Sequence, residues 1–251
     1  MDKRVCIVTG GGQGIGRALS LHFAENGIRV VVAELNEQNA AAVAAEIAAK
    51  GGEALAVTTD VTNPGSVREL FARVGESYGR VDILINNARW SGLAPTRVQN
   101  ISDEDWRRAM DVNVTGAFHC VREAVPMMIT ARFGRIVIMS SATVRQPPSR
   151  PYVHYITSKA ALVGMTRALA KELGEFGITV NAILPGSIET GVERPSPVTS
   201  ADRQQRAKQS QAIPRVLTPN DLAGAALFLA SDAAAFITGQ SLAVDGGLTF
   251  G

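Results

Sequence analysis

The chain has 251 residues, of which 46% are hydrophobic and 19% charged, as in an ordinary globular protein that buries a substantial core. Its 25 basic and 23 acidic residues nearly balance, so the charge gives no sign of a nucleic-acid-binding surface, and no apolar run approaches the roughly 18 residues of a membrane helix. Two isolated cysteines, Cys6 and Cys120, exclude a disulfide framework and a cysteine-bound zinc site. The first residues contain no signal-peptide core, so we expect a reducing, cytoplasmic location.

Short apolar runs alternate along the chain with longer segments that have the pattern of helices. The predicted strands, in chain order, are 5–9, 29–33, 54–58, 81–85, 135–139, 179–184 and 241–245. The predicted helices are about 15–26, 37–50, 63–78, one long helix after Asp103, 155–176 and 222–231. Strands this short and apolar, separated by helices, predict an α/β fold. We expect a doubly wound parallel sheet with helices on both faces, in one domain over residues 1–251.

One connection in this pattern is unusually long. Residues 186–214 are rich in Ser, Pro, Gln and charged residues, which is the composition of a loop. A connection of this length is uncommon inside a compact domain unless it has a function. We therefore expect either a lid that covers the substrate or a plain surface excursion over these residues.

A glycine-rich segment, residues 9–16 (TGGGQGIG), joins the first predicted strand to the first predicted helix. Its glycines follow the pattern G-x-x-x-G-x-G rather than G-x-G-x-x-G. Glycine lets the backbone pass close to a pyrophosphate, and the helix that begins there presents unpaired N–H groups and the positive end of its dipole. The position between a strand and a helix predicts a dinucleotide site. The expected site residues in this segment are Gly10, Gln13, Gly14, Ile15 and Gly16.

Glu34 lies at the end of the second predicted strand, 18 residues after Gly16, the last glycine of the segment. A carboxylate there can accept hydrogen bonds from both hydroxyls of an adenosine ribose, and it would repel a 2′-phosphate. Gln13 adds no positive charge to the segment, and no arginine or lysine directly follows Glu34. These residues favour NAD over NADP as the cofactor, and an exposed acid at a strand end is the alternative interpretation.

Tyr155 and Lys159 lie four residues apart in a predicted helix, so their side chains share one face. A lysine near a tyrosine favours the phenolate and lowers the phenol pKa from about 10 towards neutral pH, as general acid–base catalysis requires. The same spacing occurs by chance on solvated helices, so the pair needs support from the rest of the chain. His154 points about 100° away from Tyr155 around the helix and is expected to pack.

With these features the chain resembles the short-chain dehydrogenase/reductase family from about residue 5 to residue 247. The resemblance rests on several motifs in a fixed order. They are the glycine segment 9–16, Asp60-Val61, Asn86-Asn87-Ala88, Asn113 in DVNVTG, Ser140-Ser141, Tyr155 with Lys159, Pro185-Gly186, Gly239-Gln240 and VDGG at 244–247. The resemblance implies a Rossmann-type domain and an oxidoreductase that uses a nicotinamide cofactor.

The resemblance also implies a role for each matched residue. Tyr155 would be the general acid or base, Lys159 would assist it and hold the nicotinamide ribose, and the Ser141 hydroxyl would donate to the substrate oxygen. Asn113 would position a water that links Lys159 to solvent. The other matched residues would contact the cofactor: Asp60 and Val61 at the adenine, Asn87 and Ala88 along the groove, Thr190 at the carboxamide, and Pro185, Gly186 and Ile188 beside it.

Two of these assignments have a rival nearby. Ser141 lies one residue closer to Tyr155 than Ser140 does, and its spacing fits the family better. Tyr152 could compete with Tyr155, but the residue four positions after it is Ile156, which cannot act as a cationic partner. Tyr152 is therefore expected to form a wall of the substrate pocket.

The chain departs from the family at Arg89, where the usual motif Asn-Asn-Ala-Gly has its glycine. An arginine at this position either turns to solvent or places a guanidinium beside the active site. Arg145 and Arg150 are expected near the rim of the same pocket. In the second interpretation, the arginines would recognise a substrate with a carboxylate or sulfonate group.

The sequence therefore predicts an enzyme, an NAD-dependent short-chain alcohol dehydrogenase or carbonyl reductase for a secondary alcohol, ketone or aldehyde. A 3-oxoacyl-thioester reductase of the same family is the enzymatic alternative. The alternative from another class is a nucleotide-sensing or scaffold protein without activity, which would be expected to have lost Ser141, Tyr155 or Lys159. The resemblance implies a homotetramer, and we expect no nucleic acid, membrane or metal partner.

Overall fold

Seven parallel strands form one sheet in the computed structural model, which describes residues 3–90, 95–190 and 199–250. The strands are β1 (Val5–Thr9), β2 (Arg29–Glu34), β3 (Ala54–Thr58), β4 (Ile83–Asn86), β5 (Gly134–Met139), β6 (Ile178–Pro185) and β7 (Ser241–Val244). Their order across the sheet is β3-β2-β1-β4-β5-β6-β7. From β1 the chain adds β2 and then β3 towards one edge of the sheet. It then returns and adds β4 on the other side of β1, so the strand order reverses at a topological switch point between β1 and β4. Ligands of open parallel sheets bind at the carboxyl ends of the strands beside such a switch point.

The strands are apolar along most of their length because helices cover both faces of the sheet. The helices are α1 (Gly14–Glu25), α2 (Glu37–Ala49), α3 (Pro64–Tyr78), α4 (Asp103–Met110), α5 (Gly116–Ala131), α6 (Val153–Leu173), α7 (Ser200–Ser210) and α8 (Pro219–Leu229). Successive strand residues alternate between two cores: Ile7 packs with α3, α5 and α6, and Val8 packs with α1, α2 and α8. The predicted doubly wound α/β fold is confirmed. No helix among the described residues is long and apolar enough to cross a membrane.

Local chemistry sets the ends of α3, which the sequence placed correctly. The side chain of Asn63 accepts hydrogen bonds from the backbone N–H groups of the first turn, and Pro64 occupies the first helical position, where its missing N–H has no cost. The helix ends where Gly79 takes a left-handed conformation with φ of 69°. A polar cap and a helix-starting proline of this kind are the signals that placed the start of α3 in the sequence.

The prediction of a loop over residues 186–214 was wrong for part of that segment. Residues 200–210 form α7, and Thr199 caps it: the Thr199 hydroxyl accepts from the N–H of Asp202 at 3.1 Å, and the Asp202 carboxylate accepts from the N–H of Thr199 at 2.9 Å. The helix is so polar that its composition resembles a loop. The rest of the expected lid includes residues 191–198, which lie outside the described residues.

Candidate active site

The glycine segment forms a tight turn between β1 and α1 at the switch point. Gly10 and Gly14 adopt the left-handed region with φ of 61° and 53°. A Cβ atom on Gly16 would lie 2.0 Å from the carbonyl oxygen of Gly10, so only glycine fits there. Gln13 precedes the helix, and its side chain makes no capping hydrogen bond within the described residues. The N–H groups of the first turn of α1 are thus available to an anionic ligand, and Ile15 anchors this turn in the core.

The ends of β1 and β4 are joined by hydrogen bonds around Thr9. The amide nitrogen of the Asn87 side chain donates to the carbonyl oxygens of Thr9 at 2.9 Å and Gly10 at 3.1 Å. The backbone N–H groups of Asn87 and Ala88 both donate to the Thr9 hydroxyl at 3.0 Å. These contacts fix Asn87 and Ala88 against the glycine segment, as a shared cofactor groove requires. Thr9 has a positioning role that sequence reasoning missed.

Glu34 lies beside the glycine segment, at the end of β2. Its side chain is buried, and its two carboxylate oxygens accept from the backbone N–H groups of Gly12 at 3.1 Å and Asn36 at 3.2 Å. Each carboxylate oxygen can accept more than one hydrogen bond, so ribose hydroxyls can still bind. Arg17, a cation on the adjoining helix, forms an ion pair with Glu46.

Asp60 and Val61 follow β3 at the same edge of the sheet. The Asp60 carboxylate accepts from the N–H of Thr62 at 2.9 Å and from the Thr62 hydroxyl at 2.7 Å. Val61 packs against Gly116, whose Cβ, if it had one, would lie 2.6 Å from a Val61 methyl carbon. These contacts bring the start of α5 close to the expected adenine side of the groove.

Asn113 lies in a π-helical turn, Asp111–Thr115, between α4 and α5. Its buried side chain accepts from the N–H of Trp90 at 2.7 Å and donates to the carbonyl oxygen of Trp90 at 3.0 Å. It also donates to the hydroxyl of Ser158 on α6 at 2.9 Å. One amide therefore joins three elements around the site. Such π turns often occur at functional sites, and the sequence indicated only a continuous helix here.

Tyr155 and Lys159 lie on successive turns of α6, with the Lys159 nitrogen 5.9 Å from the centre of the Tyr155 ring. The Lys159 side chain is 1% exposed, and its ammonium donates to the carbonyl oxygen of Met139 at 2.7 Å. Burial, and secondly the charge of Arg89, lower the pKa of Lys159 to about 7. A buried lysine with a lowered pKa is typical of a functional site. Any anion that forms beside it stabilises the buried ammonium electrostatically.

The two serines after β5 have different environments. Ser140 donates its hydroxyl to the carbonyl oxygen of Lys159 at 2.8 Å, which ties β5 to α6. The Ser141 hydroxyl accepts from the hydroxyl of Thr143 at 2.9 Å and from the N–H of Thr143 at 3.3 Å. Among the described residues Ser141 donates to no group, so its own O–H can be given to a substrate oxygen.

The segment after β6 closes the far side of the groove. Pro185 ends the strand, and the N–H of Gly186 donates to the carbonyl oxygen of Val244 at 3.1 Å. Gly186 lies so close to Asp245 that a Cβ would be 2.9 Å from it. Ile188 forms a parallel bridge with Leu217, and Thr190 is the last described residue before the gap at 191–198.

The three expected substrate residues, Arg89, Arg145 and Tyr152, have different surroundings. Arg145 donates to the carbonyl oxygen of Ser241 at 2.8 Å, so its guanidinium lies against β7. Tyr152 lines a surface cavity of about 450 Å³ with Arg150 and Pro151, on the flank of α6. Arg89 is half-buried between Ala88 and Trp90, near enough to Lys159 for their charges to interact.

His154 packs beside this site, as expected. It is buried, its ring centre is 5.9 Å from that of Trp90, and neither ring nitrogen has a hydrogen-bond partner in the described part of the chain. Burial lowers the pKa of His154, which favours the neutral ring. Ser158 and Trp90, which hold Asn113, were missed from the sequence; the position of Ser158 three residues after Tyr155 was the available signal.

Comparisons with known proteins match nearly the whole chain. Residues 10–249 match the family model described as enoyl-(acyl carrier protein) reductase. The 3-oxoacyl-(acyl-carrier-protein) reductase of Synechocystis is 39% identical over 99% of this chain and 98% of its own length. The hydroxy(phenyl)methylsuccinyl-CoA dehydrogenase subunit BbsD of Thauera aromatica is 36% identical over 98% and 97%. A crystal structure of a short-chain type dehydrogenase/reductase from Mycobacterium marinum is 33% identical, with a TM-score of 0.90 over 99% of this chain and 96% of that one.

Proposed function

The chain belongs to the short-chain dehydrogenase/reductase family of nicotinamide-dependent oxidoreductases, and from this premise we propose its reaction. The proposed reaction is hydride transfer between NAD(H) and a secondary alcohol or its ketone, or an aldehyde, with Tyr155 as the general acid or base. The observation that carries the proposal is the buried Lys159 ammonium, held by Met139 at 2.7 Å and lying 5.9 Å from the Tyr155 ring centre.

The groove at the switch point fits a dinucleotide. The turn at Gly10 and Gly16 leaves no room for a Cβ atom, and the helix N-terminus behind it is open to an anion. Gly10, Gly14, Gly16, Asn87 and Ala88 would hold the phosphates and the riboses. When bound, the nicotinamide supplies or accepts the hydride.

The proton chemistry falls to side chains of this protein. Tyr155 would give its phenolic proton to the carbonyl oxygen during reduction, and the phenolate would take a proton during oxidation. The Lys159 ammonium would favour that phenolate by its charge, and the Ser141 O–H would donate to the same substrate oxygen. Asn113 would act as a positioning residue that fixes α6 and the segment at Trp90 for the relay of protons through Lys159 to solvent.

Glu34 supports NAD as the preferred cofactor. Its carboxylate is buried beside Gly12, where a ribose of the dinucleotide would lie, and a 2′-phosphate would meet a like charge. Arg17, the cation on the adjoining helix, already has an acidic partner in Glu46.

Two relatives support different substrates. The name of the Thauera relative describes a dehydrogenase of a hydroxy(phenyl)methyl group, which is a secondary alcohol, and this supports the proposed substrate class. The name of the Synechocystis relative favours a second candidate, reduction of a 3-oxoacyl thioester. Because Ser141, Tyr155 and Lys159 are all present, a scaffold protein without activity is the weakest of the alternatives.

We also propose a homotetramer assembled through α4, α5, α6 and β7. Large apolar side chains on these elements are exposed in the single chain: Trp106 is 39%, Phe118 46% and Leu242 41% exposed. Burial of such side chains would favour association. Light scattering coupled to size-exclusion chromatography tests this directly, and a monomer would contradict it.

The reaction is tested by one panel of substrates. Ketones, aldehydes, diols, acidic aromatic ketones and a 3-oxoacyl thioester are offered with NADH or NADPH, and turnover is followed by cofactor absorbance. We expect NADH-dependent reduction of ketones with the highest kcat/KM. A higher kcat/KM for the thioester would select the second candidate, and no turnover of any compound would contradict the proposal.

A further inference from the structure

We propose that Arg89 binds a carboxylate group of the substrate, so that the preferred substrates are carbonyl compounds or alcohols that carry an acid. This rests on the proposed function and narrows its substrate class. The family motif has glycine at this position, so the feature belongs to this chain rather than to the common machinery.

The backbone around Arg89 is fixed from both sides. The N–H of Ala88 donates to the Thr9 hydroxyl at 3.0 Å, on the cofactor side. Both backbone groups of Trp90 are bonded to the Asn113 side chain, at 2.7 and 3.0 Å, on the catalytic side. The Arg89 side chain therefore starts from a fixed point beside both the groove and α6.

Within residues 3–90, 95–190 and 199–250, the guanidinium of Arg89 has no acidic partner. In the described part of the chain no ion pair or hydrogen bond involves this side chain, whereas Arg4, Arg29 and Arg215 each pair with a carboxylate. The Arg89 residue is half-buried, and removing a cation from water is unfavourable unless an anion accompanies it.

Arg89 also adds a second positive charge beside Lys159. The two charges interact, and that interaction contributes to the low pKa of the lysine. A phenolate at Tyr155 can balance one positive charge. A carboxylate of the substrate would balance the other, through the paired N–H groups that make arginine suited to carboxylates.

A phosphate of the cofactor is the other anion that Arg89 could bind. The glycine segment with its open helix N-terminus already provides N–H donors for the phosphates, and Arg89 acts on Lys159, at the catalytic end. We therefore assign the Arg89 site to the substrate. A cofactor role is the alternative outcome of the test.

The experiment compares matched probes with and without a carboxylate. The probes are para-acetylbenzoate with para-acetylbenzamide, and levulinate with levulinamide, each bound to the enzyme–NADH complex and measured by calorimetry and by kcat/KM. The variants are Arg89→Gln and Arg89→Lys. The control is Arg108→Gln, which removes a nearby cation that lies 5.5 Å from the Trp90 ring centre.

In wild type we expect the acid to be preferred over the amide in at least one pair. Arg89→Gln should reduce that preference on the order of 10- to 100-fold, as expected for loss of a charge-assisted hydrogen bond, and Arg89→Lys should restore part of it. Arg108→Gln should leave it unchanged. The Kd of NADH should stay within about threefold in both Arg89 variants, because the substrate rather than the cofactor makes the contact.

Three outcomes would overturn the assignment: no acid preference in wild type, the same preference in Arg89→Gln, or a loss of NADH affinity in Arg89→Gln as large as the loss for the acid. Failure of the proposed function would look different. In that case neither probe would be reduced by wild type with NADH, while the calorimetric preference for the acid could still depend on Arg89.

Discussion

The ammonium of Lys159 donates a hydrogen bond of 2.7 Å to the carbonyl oxygen of Met139, the last residue of β5. This bond holds a fully buried cation between the carboxyl end of the sheet and the face of α6 that carries Tyr155. One neutral carbonyl does not replace the water that surrounds a free ammonium. Burial of the charged Lys159 side chain therefore lowers the free energy of unfolding. The function of the site and the stability of the chain therefore oppose each other at this residue.

Lys159→Met should stabilise the unliganded protein at low pH. The pKa of Lys159 is about 7 in the folded chain and returns to its ordinary 10.5 on unfolding. Between these values the unfolded chain binds more protons, so wild-type stability rises with pH across this window. Below about pH 7 Lys159 is charged in both the folded and the unfolded chain, so the whole cost of burying the ammonium lowers the stability of wild type. Methionine removes this cost and should raise the free energy of unfolding by a few kcal/mol.

The gain should shrink as the pH rises towards 10.5, where the lysine is neutral in both states. Denaturant unfolding of both proteins at several pH values measures it. Lys171→Met, an exposed change on the same helix, should alter stability by less than about 0.5 kcal/mol at every pH. A gain for Lys159→Met that does not vary with pH would show that the ammonium is not desolvated.

Tyr155→Phe should remove turnover and preserve the cofactor site. The substitution deletes only the hydroxyl that would move the proton, so kcat should fall on the order of 100- to 10,000-fold. NADH affinity, measured by fluorescence titration, should stay within a few fold. Tyr152→Phe is the matched control and should keep turnover. If Tyr155→Phe remains active, or if Tyr152→Phe shows the larger loss, the assigned acid is wrong.

The strands and the glycine turn could be predicted because their signals are local. A buried parallel strand is an apolar run in any context, and Gly10, Gly14 and Gly16 are required by a turn only a few residues long. The π turn at Asn113 could not be predicted, because the partners that stabilise it, Trp90 and Ser158, are distant in the sequence.

The helix α7 was missed for a different reason. Its residues are polar on nearly every side, so the alternation that identifies the other helices is absent there. Its only clear signal was the cap formed by Thr199 and Asp202. The direction of a side chain is also hard to predict from sequence. Arg145 is close to Ser141 in the sequence and was expected at the pocket rim, but its guanidinium donates to the carbonyl oxygen of Ser241 in β7.

Asn113→Leu should lower both stability and activity. The change removes the partners of both backbone groups of Trp90 and leaves them unsatisfied in a partly buried site. We expect a loss of roughly 2–4 kcal/mol in the free energy of unfolding, together with reduced kcat because the hydrogen bond from Asn113 to Ser158 on α6 is lost. Asn26→Leu, which removes one exposed hydrogen bond to the carbonyl oxygen of His22, should change stability by about 1 kcal/mol or less. Unchanged kcat in a folded Asn113→Leu would contradict the positioning role.

Gly16→Ala should weaken cofactor binding. The new Cβ would lie 2.0 Å from the carbonyl oxygen of Gly10, so the turn must open and its N–H groups must move. We expect the Kd of NADH to rise about 10-fold or more, with a loss of stability of roughly 1–3 kcal/mol. Gly75→Ala is the control, because among the described residues nothing beyond its chain neighbours and the backbone of its own helix turns lies within 4 Å of the new Cβ, and alanine favours helices. Equal effects of the two substitutions would contradict the tight turn.

The preference for NAD should depend on Glu34. Under the proposed cofactor choice, the buried carboxylate of Glu34 would repel a 2′-phosphate, so kcat/KM for NADH in wild type should exceed that for NADPH on the order of 100-fold. Glu34→Gln keeps an oxygen that can accept from Gly12 and removes the charge, so the ratio should fall about 10-fold or more. Glu37→Gln makes the same charge change at an exposed position in the first turn of α2 and should leave the ratio nearly unaltered. Comparable kcat/KM for NADH and NADPH in wild type would refute the role of Glu34. An equal fall of the NADH-to-NADPH ratio in Glu37→Gln would assign the preference to the overall charge of this edge of the sheet instead of to one carboxylate.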